Sequence, residues 1–451
     1  MKSRLPKVLH CLAGRSLLQH VLDTAADLHA RKVVVVTGHG AMEVEAACAM
    51  NTGAAGQFTL NFARQEPQLG TGHAVQQAVP VLADDGVVVV LSGDVPLTQS
   101  DTLFHLIQAS GGTKLALLTL EQSNPAGYGR IVRADGAVQA IVEHKDASAA
   151  QLQITEIYSG IMAVPAAQLK RWLARLDNHN AQKEYYLTDI VKFAVADGVA
   201  VVAHKITDAV QVAGVNSPVQ LAELERAYQL GQAHRLMEEG VRLADPARLD
   251  VRGDLLCAHD VSIDVNCVFM GQVSLGEGVS IGANCVIANA VIEDGAVIHP
   301  FTHIDGESLG VTVGKGALVG PFARLRPGAV LGAEVHIGNF VEVKNSTLAK
   351  GAKANHLAYL GDATVGERVN YGAGSITANY DGANKHRTVI EADVHVGSNC
   401  VLVAPITLGA GGTVGGGSTL TKDTPAGALS VARGKQVSIA NWSRPDKKPR
   451  G

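Results

Sequence analysis

Residues 313–343, VGKGALVGPFARLRPGAVLGAEVHIGNFVEV, decide the fold of the C-terminal part of the chain. An aliphatic residue recurs there at every sixth position, and several of these residues are followed by glycine. The aliphatic positions are Val313, Val319, Leu325, Leu331, Ile337 and Val343. A period of six with one buried aliphatic residue per unit is typical of a hexapeptide-repeat parallel β-helix, in which short strands form the walls and glycine-containing turns form the corners.

The same spacing continues on both sides of this stretch. It includes Leu275, Ile281 and Ile287, then, after a shift of register, Ile292, Ile298 and Ile304, and later Val396, Leu402, Leu408, Val414 and Leu420. Ordinary antiparallel hairpins would alternate with a period of two and would not keep a six-residue phase over five or six units. We therefore predict a β-helix over nearly half of the chain, interrupted at residues 350–388, where polar residues accumulate.

The N-terminal part has a different pattern. Short β-branched runs, Lys32–Thr37 and residues 87–91, alternate with amphipathic stretches at residues 41–49 and 102–109. This alternation predicts βαβ units, hence a Rossmann-like α/β domain whose parallel sheet is covered by helices. Leu221, Leu224 and Tyr228 have helical spacing, as do Leu230 and Met237, and Gly240 follows. We expect the domain boundary along this helix.

Composition limits the classes of function. The net charge is −4, from 38 basic and 42 acidic residues, so no overall charge favours nucleic acid or an anionic membrane. The six cysteines are scattered without a CxxC pair, which favours reduced thiols, the cytosol and no zinc site. With neither a leader pattern nor a membrane-length apolar run, we expect a soluble, unexported protein. The basic tail, residues 444–450, is read as a solvated end rather than a nucleic-acid arm.

Chemistry is expected in the polar interruption of the β-helix. His356 lies there with Tyr359, Asn370, Asn379 and Tyr380. Acetyl transfer to an amine needs a base and donors for an oxyanion, for which His356 and Asn379 are candidates. A lone histidine is more often structural, but these neighbours favour a functional one. Upstream, Arg326 and Lys344 could hold a sugar phosphate, or could be solvated surface cations.

The run 87–91 leads into Asp94, which places a carboxylate at the carboxyl end of a strand, where α/β proteins bind ligands. Asp94 is a plausible Mg²⁺ ligand, because this ion takes a few carboxylates together with phosphates and waters. A turn or capping role is the alternative.

Five segments make the sequence recognisable: GPFARLRPGA, IGNFVEVKNS, HLAYLGDATVG, ITANYDGANKHRT and VGSNCVLVAPITL. In this order they resemble the family of bifunctional bacterial enzymes that are both N-acetylglucosamine-1-phosphate uridyltransferases and glucosamine-1-phosphate N-acetyltransferases. The resemblance covers nearly the whole chain. It implies a nucleotidyltransferase domain at residues 1–217, a linker helix at 218–240, and at 241–451 a left-handed β-helix acetyltransferase domain with the basic tail.

For the β-helix, the resemblance implies N-acetylation of glucosamine 1-phosphate by acetyl-CoA, with His356 as the general base. The matching amino-sugar-phosphate contacts are Arg326, Lys344, Tyr359 and Asn370. The matching acetyl-CoA and oxyanion contacts are Ala373, Asn379, Tyr380, Ser398, Gly416 and Arg433. Gly416 replaces a frequent alanine, which a backbone contact should tolerate.

For the α/β domain, the resemblance implies uridyl transfer from UTP to N-acetylglucosamine 1-phosphate, with release of pyrophosphate. Asp94 and Asn216 match the magnesium pair. The matching UTP and UDP-N-acetylglucosamine contacts are Lys7, Gln65, Gly70, Thr71, Gly129, Glu143, Tyr158 and Asn216. Further implications are a cytoplasmic homotrimer without nucleic-acid or membrane partners, supplying UDP-N-acetylglucosamine for peptidoglycan and lipopolysaccharide.

Two departures from the family pattern concern the α/β domain. Tyr158 stands where the family usually has asparagine, so a sugar contact is either lost or replaced by the phenol. The sequence also begins just after the family's first strand and glycine-rich nucleotide loop. Without them the sheet should show two open ladders. The alternative to a bifunctional enzyme is then acetyl transfer alone, with uridyl transfer disabled.

Two further alternatives stay open at the level of sequence. Another sugar-phosphate nucleotidyltransferase with a β-helical tail would explain GDVPL and the hexapeptides, but not HLAYLGD with NYDGANKH. A β-helix that serves only as a trimerisation stalk predicts that His356→Ala leaves every activity intact.

Overall fold

The computed structural model describes residues 1–50 and 58–444, without the side chain of Met50, so the basic tail beyond Arg444 lies outside the described residues. The chain divides into two compact units between Tyr228 and Gln229. Over the described ranges, no helix combines the length and apolar character needed to cross a bilayer.

The first unit is an α/β domain, as predicted. Its helices are Leu17–Asp27, Ala41–Met50, Thr71–Ala78, Ser100–Ser110, Ala166–Leu173 and Ile190–Ala196, followed by Pro218–Glu238, which continues into the second unit. Short 3-10 turns are Lys7–Leu9, Val79–Val81, Gln151–Gln153, Leu187–Asp189 and Ala209–Val212. Its strands are Cys11–Leu12, Arg15–Ser16, Lys32–Thr37, Thr59–Arg64, Val87–Val90, Leu115–Glu121, Arg130–Ala134, Ala137–Val142, Glu156–Pro165 and Val201–Ile206.

The main sheet is mixed, which corrects the prediction of a parallel sheet. Its central strand, Glu156–Pro165, runs antiparallel to Val87–Val90, Leu115–Glu121 and Arg130–Ala134. The antiparallel hairpin Arg130–Ala134/Ala137–Val142 comes before that strand, in place of the crossover helix that a parallel connection needs.

Lys32–Thr37 and Thr59–Arg64 form a separate parallel pair. In the described part of the chain, these two strands pair only with each other, and Val87–Val90 pairs only with Glu156–Pro165.

The second unit is a parallel β-helix with three walls, and this prediction is confirmed; its left-handed sense stays a prediction. The first wall contains Arg242–Leu243, Ser262–Ile263, Ser280–Ile281, Val297–Ile298, Leu318–Val319, His336–Asn339, Lys353–His356, Asn370–Tyr371, His395–Val396, Thr413–Val414 and Leu429–Ser430. The second contains His303–Asp305, Arg324–Leu325, Glu342–Lys344, Tyr359–Gly361, Ile376–Ala378, Val401–Val403 and Thr419–Leu420. The third contains Val311–Val313, Val330–Leu331, Thr347–Leu348, Ala363–Val365, Thr388–Ile390 and Ile406–Leu408. The long strands Leu249–Cys257, Cys267–Leu275 and Val286–Ile292 pass around the corner between the second and third walls.

All of the aliphatic positions predicted from the six-residue period are buried in one core. Each such side chain contributes about 1.5–3 kcal/mol of hydrophobic stabilisation. The glycines that follow them were predicted to form the corners, but they also allow successive coils to approach each other closely. A Cβ at Gly338 would lie 1.9 Å from the carbonyl oxygen of Asn355 on the next coil, so glycine is required by the close approach of the coils.

The coils continue through residues 350–378, so the predicted interruption is wrong over most of its length. Inward positions at Ala354, Leu360, Val365, Tyr371 and Thr377 are five or six residues apart, and all five are buried. The period was hidden because Ala354 is small and Tyr371 and Thr377 are not aliphatic. Only residues 379–387 leave the walls, between Ile376–Ala378 and Thr388–Ile390.

The helix Pro218–Glu238 confirms the predicted helix, but its core-facing residues differ. Leu230 and Met237 are exposed, whereas Ala233 and Leu236 pack in the β-helix core.

Candidate functional site

In the first unit, three predicted site residues meet beyond the end of strand Val87–Val90. The Nζ of Lys7 donates to Asp94 Oδ2 at 2.5 Å and to Asn216 Oδ1 at 3.0 Å. The backbone N–H of Val215 donates to the carbonyl of Asp94 at 3.0 Å, which holds the Asn216 loop in place. Two side-chain oxygens therefore converge on one cationic atom.

A second group lies at the start of helix Thr71–Ala78. Gln65 is buried, and its Nε2 donates to the carbonyl of Gly70 at 2.9 Å. Gly70 has φ +108°, and a Cβ there would lie 2.7 Å from the carbonyl oxygen of Tyr185. Thr71 Oγ1 accepts a hydrogen bond from the N–H of Leu187 at 3.3 Å. The turn is therefore packed tightly, and it ends at a helix N-terminus, where the N–H of Gly72 already donates to the carbonyl of Tyr185 at 2.8 Å.

A third group joins Gly129, Glu143 and Tyr158. The N–H of Tyr158 donates to the carbonyl of Gly129 at 2.9 Å, and Thr188 Oγ1 donates to Glu143 Oε1 at 2.9 Å. Burial raises the pKa of the Glu143 carboxyl. Burial, and secondly the charge of Glu143, raise the pKa of Tyr158 well above its usual value. The Tyr158 hydroxyl is buried without a hydrogen-bond partner among the described residues. Such a group costs free energy until a partner satisfies it.

In the second unit, Arg326 and Lys344 occupy corresponding positions on successive coils of the second wall. Arg326 Nη1 donates to Glu342 Oε1 at 2.9 Å, and this hydrogen bond is the main reason that the pKa of Arg326 is raised. Tyr359 follows Glu342 in register on the next coil, and its hydroxyl lies over Gly361, where a Cβ would be 2.3 Å away. These predicted sugar-phosphate contacts are thus brought together on one wall.

Lys385 joins this group, and the sequence analysis missed it. The pKa of Lys344 is lowered, first by its side-chain interaction with Lys385, then by burial and by repulsion from Lys385 and Arg326. Three cations therefore gather at one place. The only available signal was the basic run NKHRT, because the contact depends on how residues 379–387 fold back.

Asp381 shapes the loop that brings Lys385 to Lys344. Its Oδ1 accepts from the N–H groups of Ala383 and Asn384 at 2.8 and 2.7 Å, and its Oδ2 is 2.6 Å from His386 Nε2. These contacts hold the pKa of the Asp381 carboxyl well below its usual range. Tyr380, exposed at the start of the loop, donates its hydroxyl to the carbonyl of Gly382 at 2.6 Å.

His356 ends a strand of the first wall and is exposed. Its Nδ1 is 2.8 Å from Asn339 Oδ1 on the preceding coil. Extending the register of the next strand places Ala373 opposite His356 on the following coil. The candidate base therefore lies directly above a predicted acetyl-CoA contact.

Three further predicted acetyl-CoA contacts, Ser398, Gly416 and Arg433, continue this column. The carbonyl of Ala373 accepts from Asn399 N–H at 2.8 Å, and that of Ser398 accepts from Gly417 N–H at 2.8 Å. Arg433 Nη1 donates to the carbonyl of Gly416 at 2.7 Å. Ala373, Ser398 and Gly416 therefore occupy one corner on successive coils.

Asn379 lies apart from this column and is 9% exposed. Its side-chain amide donates to Asp362 Oδ2, while the amide of Asn345 donates to Asp362 Oδ1 at 2.5 Å. Asp362 is 6% exposed and was missed by the sequence analysis. Its carboxylate holds the side chain of Asn379 in one orientation.

Asn370 is separated from the other predicted sugar-phosphate contacts. It lies on the first wall beside Lys353, whereas Arg326, Lys344 and Tyr359 belong to the second. The corner between these walls carries half-exposed apolar side chains. Phe301, Phe322 and Phe340 stack with ring centroids 4.9 and 5.4 Å apart, and Leu357 follows on the next coil.

In residues 1–50 and 58–444, no three His, Cys, Asp or Glu side chains group closely enough to hold a metal ion. The oxygens of Asp94 and Asn216 fit a cation that takes only a few protein ligands, because both already face the single charge of Lys7.

Comparisons with known proteins agree with both units. Residues 1–184 match the MobA-like NTP transferase domain, and residues 310–345 match the bacterial transferase hexapeptide (six repeats). The bifunctional protein GlmU of Albidiferax ferrireducens is 78% identical over 99% of this chain and 97% of its own length. That of Polaromonas naphthalenivorans is 78% identical over 100% and 96%. The protein of the same name from Acidovorax ebreus is 74% identical over 100% and 97%.

Proposed function

Because the chain belongs to the family of bifunctional GlmU proteins, we propose that each of its two units carries one transfer reaction. The chain is an enzyme with two activities, N-acetylation of glucosamine 1-phosphate and uridyl transfer to N-acetylglucosamine 1-phosphate. The alternative of acetyl transfer alone has no support among these relatives. Together the reactions supply UDP-N-acetylglucosamine for the cell wall.

The acetyl-transfer site lies on the β-helix around His356. The amine of glucosamine 1-phosphate attacks the thioester carbonyl of acetyl-CoA, the N–C bond forms, and the C–S bond breaks. His356 takes the proton that the amine must lose, and the departing thiolate is reprotonated. Asn379 is the proposed donor to the oxyanion. Acetyl-CoA lies along the column of Ala373, Ser398 and Gly416, with Tyr380 and Arg433 beside it.

The observation that carries this proposal is the gathering of Arg326, Lys344 and Lys385. The carboxylates of Glu342, paired with Arg326, and of Asp362, near Lys344, compensate these three cations only in part, and a sugar phosphate would supply the remaining negative charge. Tyr359 and Asn370 complete the proposed sugar-phosphate contacts.

The phosphate assignment is tested with a matched pair of arginines. Arg324 and Arg326 both donate to Glu342, at 3.4 and 2.9 Å, but only Arg326 is among the groups that lower the pKa of Lys344. Arg326→Ala should raise KM for glucosamine 1-phosphate by about 10- to 100-fold, the loss of one charged hydrogen bond. Arg324→Ala should change it by less than about threefold. Equal effects from both variants would remove Arg326 from the phosphate site.

The uridyl-transfer site lies in the first unit. A phosphate oxygen of N-acetylglucosamine 1-phosphate attacks the α-phosphorus of UTP, and pyrophosphate leaves. Asp94 and Asn216 would hold Mg²⁺, which neutralises phosphate charge when bound, and Lys7 would contact a phosphate. Gln65, Gly70 and Thr71 would contact the nucleotide at the helix N-terminus. Gly129, Glu143 and Tyr158 would contact the sugar.

This site is tested with Asp94→Asn, using the exposed Asp101→Asn as the control. Loss of metal-assisted charge stabilisation, worth several kcal/mol, should lower UDP-N-acetylglucosamine formation at least about 100-fold. Acetyl transfer by the same protein should be unchanged. Normal uridyl transfer by Asp94→Asn would overturn the assignment.

We also propose that three copies assemble and that the protein works in the cytoplasm. The split of the sugar-phosphate contacts over two walls, separated by an apolar corner, favours a site completed by a neighbouring copy. All six thiols are free, as expected in a reducing compartment. Light scattering after gel filtration should give three times the mass of one chain, and a monomer would contradict this proposal.

A further inference from the structure

We propose that Asn339 is a positioning residue that fixes the tautomer of His356, so that Nε2 is the nitrogen that accepts the substrate proton. This inference rests on the proposed role of His356 as the base. Asn339 itself touches neither substrate, and it is absent from the sites predicted from sequence.

The backbone holds Asn339 and His356 opposite each other. They are partners in the parallel register of strands His336–Asn339 and Lys353–His356. The carbonyl of Asn339 also accepts from the N–H of Leu357 at 3.0 Å. Next to this pair, Gly338 and Asn355 are so close that no Cβ fits between the coils. The packed coils therefore fix the backbones of both residues, and the two side chains meet at the surface with 2.8 Å between Asn339 Oδ1 and His356 Nδ1.

This contact has a chemical consequence. An amide oxygen only accepts hydrogen bonds, so Nδ1 of His356 must carry the proton. The neutral ring then has its lone pair on Nε2. As the N–C bond of the acetamide forms and the C–S bond of the thioester breaks, Nε2 receives the amine proton. The resulting imidazolium then protonates the departing thiolate. The opposite tautomer has a proton on Nε2 and cannot act as this base.

The other groups around His356 do not replace Asn339. Across the described residues, Asn339 is the only side chain that hydrogen-bonds the imidazole. The charged or titratable groups on the strands packed against it are His336 on the preceding coil, Lys353 on its own strand, the buried Tyr371 on the following coil and His395 two coils further on. Tyr359 begins the next wall. Its register neighbour Ala373 is uncharged.

A purely structural role for Asn339 would affect folding but not the protonation behaviour of the reaction. Two variants separate these roles. Asn339→Ala removes the acceptor, whereas Asn339→Asp keeps it and adds a negative charge beside the ring. Ser262→Ala serves as a control, because Ser262 also bonds a side chain on the adjacent coil, Ser280 at 3.3 Å, away from the site.

We expect Asn339→Ala to lower kcat for acetyl transfer about 10- to 100-fold, as for other partners that orient a functional histidine. KM for both substrates should change less than about twofold, because Asn339 touches neither substrate and its removal leaves their ground-state binding intact. Asn339→Asp should keep kcat within about threefold at its optimum. The acidic limb of its pH profile should move up by about one unit, because the added carboxylate favours the imidazolium. Ser262→Ala should leave both quantities unchanged.

Uridyl transfer by the same proteins controls for folding, and His356→Ala belongs in the same series. If His356→Ala keeps acetyl transfer, the assignment of the base fails. If it loses acetyl transfer while Asn339→Ala keeps normal kcat, only the positioning role is overturned. If Asn339→Ala loses both activities through misfolding, the profile of Asn339→Asp decides, and an unshifted acidic limb overturns the proposal.

Discussion

Asp362 joins two asparagines on neighbouring coils, and its removal provides a quantitative test of how Asn379 is held. The carboxylate accepts one hydrogen bond from the side-chain amide of Asn345, which is exposed, and one from that of Asn379, which is buried. Asp362 and Asn345 both have left-handed backbones, with φ of 50° and 45°. Glycine adopts this conformation freely, so the change in backbone free energy should be similar in Asp362→Gly and Asn345→Gly. The difference between the two variants therefore reports the contact with Asn379 together with the loss of the Asp362 charge near Lys344.

The expected size of that difference follows from burial. Asp362→Gly leaves the amide of Asn379 buried without its acceptor, at a cost of about 1–3 kcal/mol in the free energy of unfolding. Asn345→Gly removes an amide that is already exposed to water, so it leaves no buried donor without an acceptor. Losing an oxyanion donor altogether lowers kcat about 100- to 1000-fold. Because Asn379 is disoriented rather than removed, we expect kcat for acetyl transfer to fall about 10- to 100-fold in Asp362→Gly.

The measurement is CoA release with glucosamine 1-phosphate, together with chemical unfolding of each protein. Uridyl transfer should be unchanged in both variants and reports that the rest of the chain is intact. Acetyl-transfer kcat of Asp362→Gly within about twofold of that of Asn345→Gly would show that Asn379 needs no such support, since twofold is far below the effect expected for a disoriented donor.

Three other substitutions test separate features. Tyr158→Phe removes a buried hydroxyl without a partner, so the unfolding midpoint of the first unit should not fall, while KM for N-acetylglucosamine 1-phosphate should rise about tenfold if the phenol contacts the sugar; an unchanged KM would remove Tyr158 from the site. Burial raises the folded-state pKa of Glu143, so its ionisation costs stability at neutral pH and the cost disappears as pH falls below that pKa. Glu143→Gln should therefore be more stable than the parent protein at about pH 7, with the difference vanishing toward about pH 4 in denaturant titrations; a difference independent of pH would contradict this. Gly338→Ala should destabilise the β-helix by about 1–3 kcal/mol, because its Cβ meets Asn355 at 1.9 Å. Its control, Gly231→Ala, adds a methyl to open space in a helix and should stabilise by about 1 kcal/mol; a stable Gly338→Ala protein would show that the coils can separate.

The β-helix could be predicted because its core repeats locally. Residues such as Val319, Leu325 and Leu331 are six positions apart and face the same interior, so the sequence period reports the fold directly. The coils around Ala354, Tyr371 and Thr377 were not predicted because these inward residues are small, aromatic or polar rather than large and aliphatic. In the first unit, strand direction could not be predicted: Glu156–Pro165 is apolar in either orientation, and its neighbours are set by long-range pairing.

The site was predictable where a residue's chemistry in a polar stretch, or its match to the family pattern, indicates a role. Asp94, Lys7 and Asn216 were expected together from resemblance, and the structure joins them. Asn339, Asp362 and Lys385 were missed because their roles depend on which coil or loop lies beside them. Asn339 is seventeen residues from His356 along the chain. No short sequence motif indicates a contact between residues so far apart.

The most direct test of two separate sites combines two inactive proteins. His356→Ala and Asp94→Ala are each incubated with glucosamine 1-phosphate, acetyl-CoA, UTP and Mg²⁺, alone and mixed. Neither should form UDP-N-acetylglucosamine alone, and the mixture should form it, because the N-acetylglucosamine 1-phosphate made by Asp94→Ala becomes the substrate of His356→Ala. Product from either variant alone, or none from the mixture of two folded proteins, would contradict the assignment of one reaction to each unit.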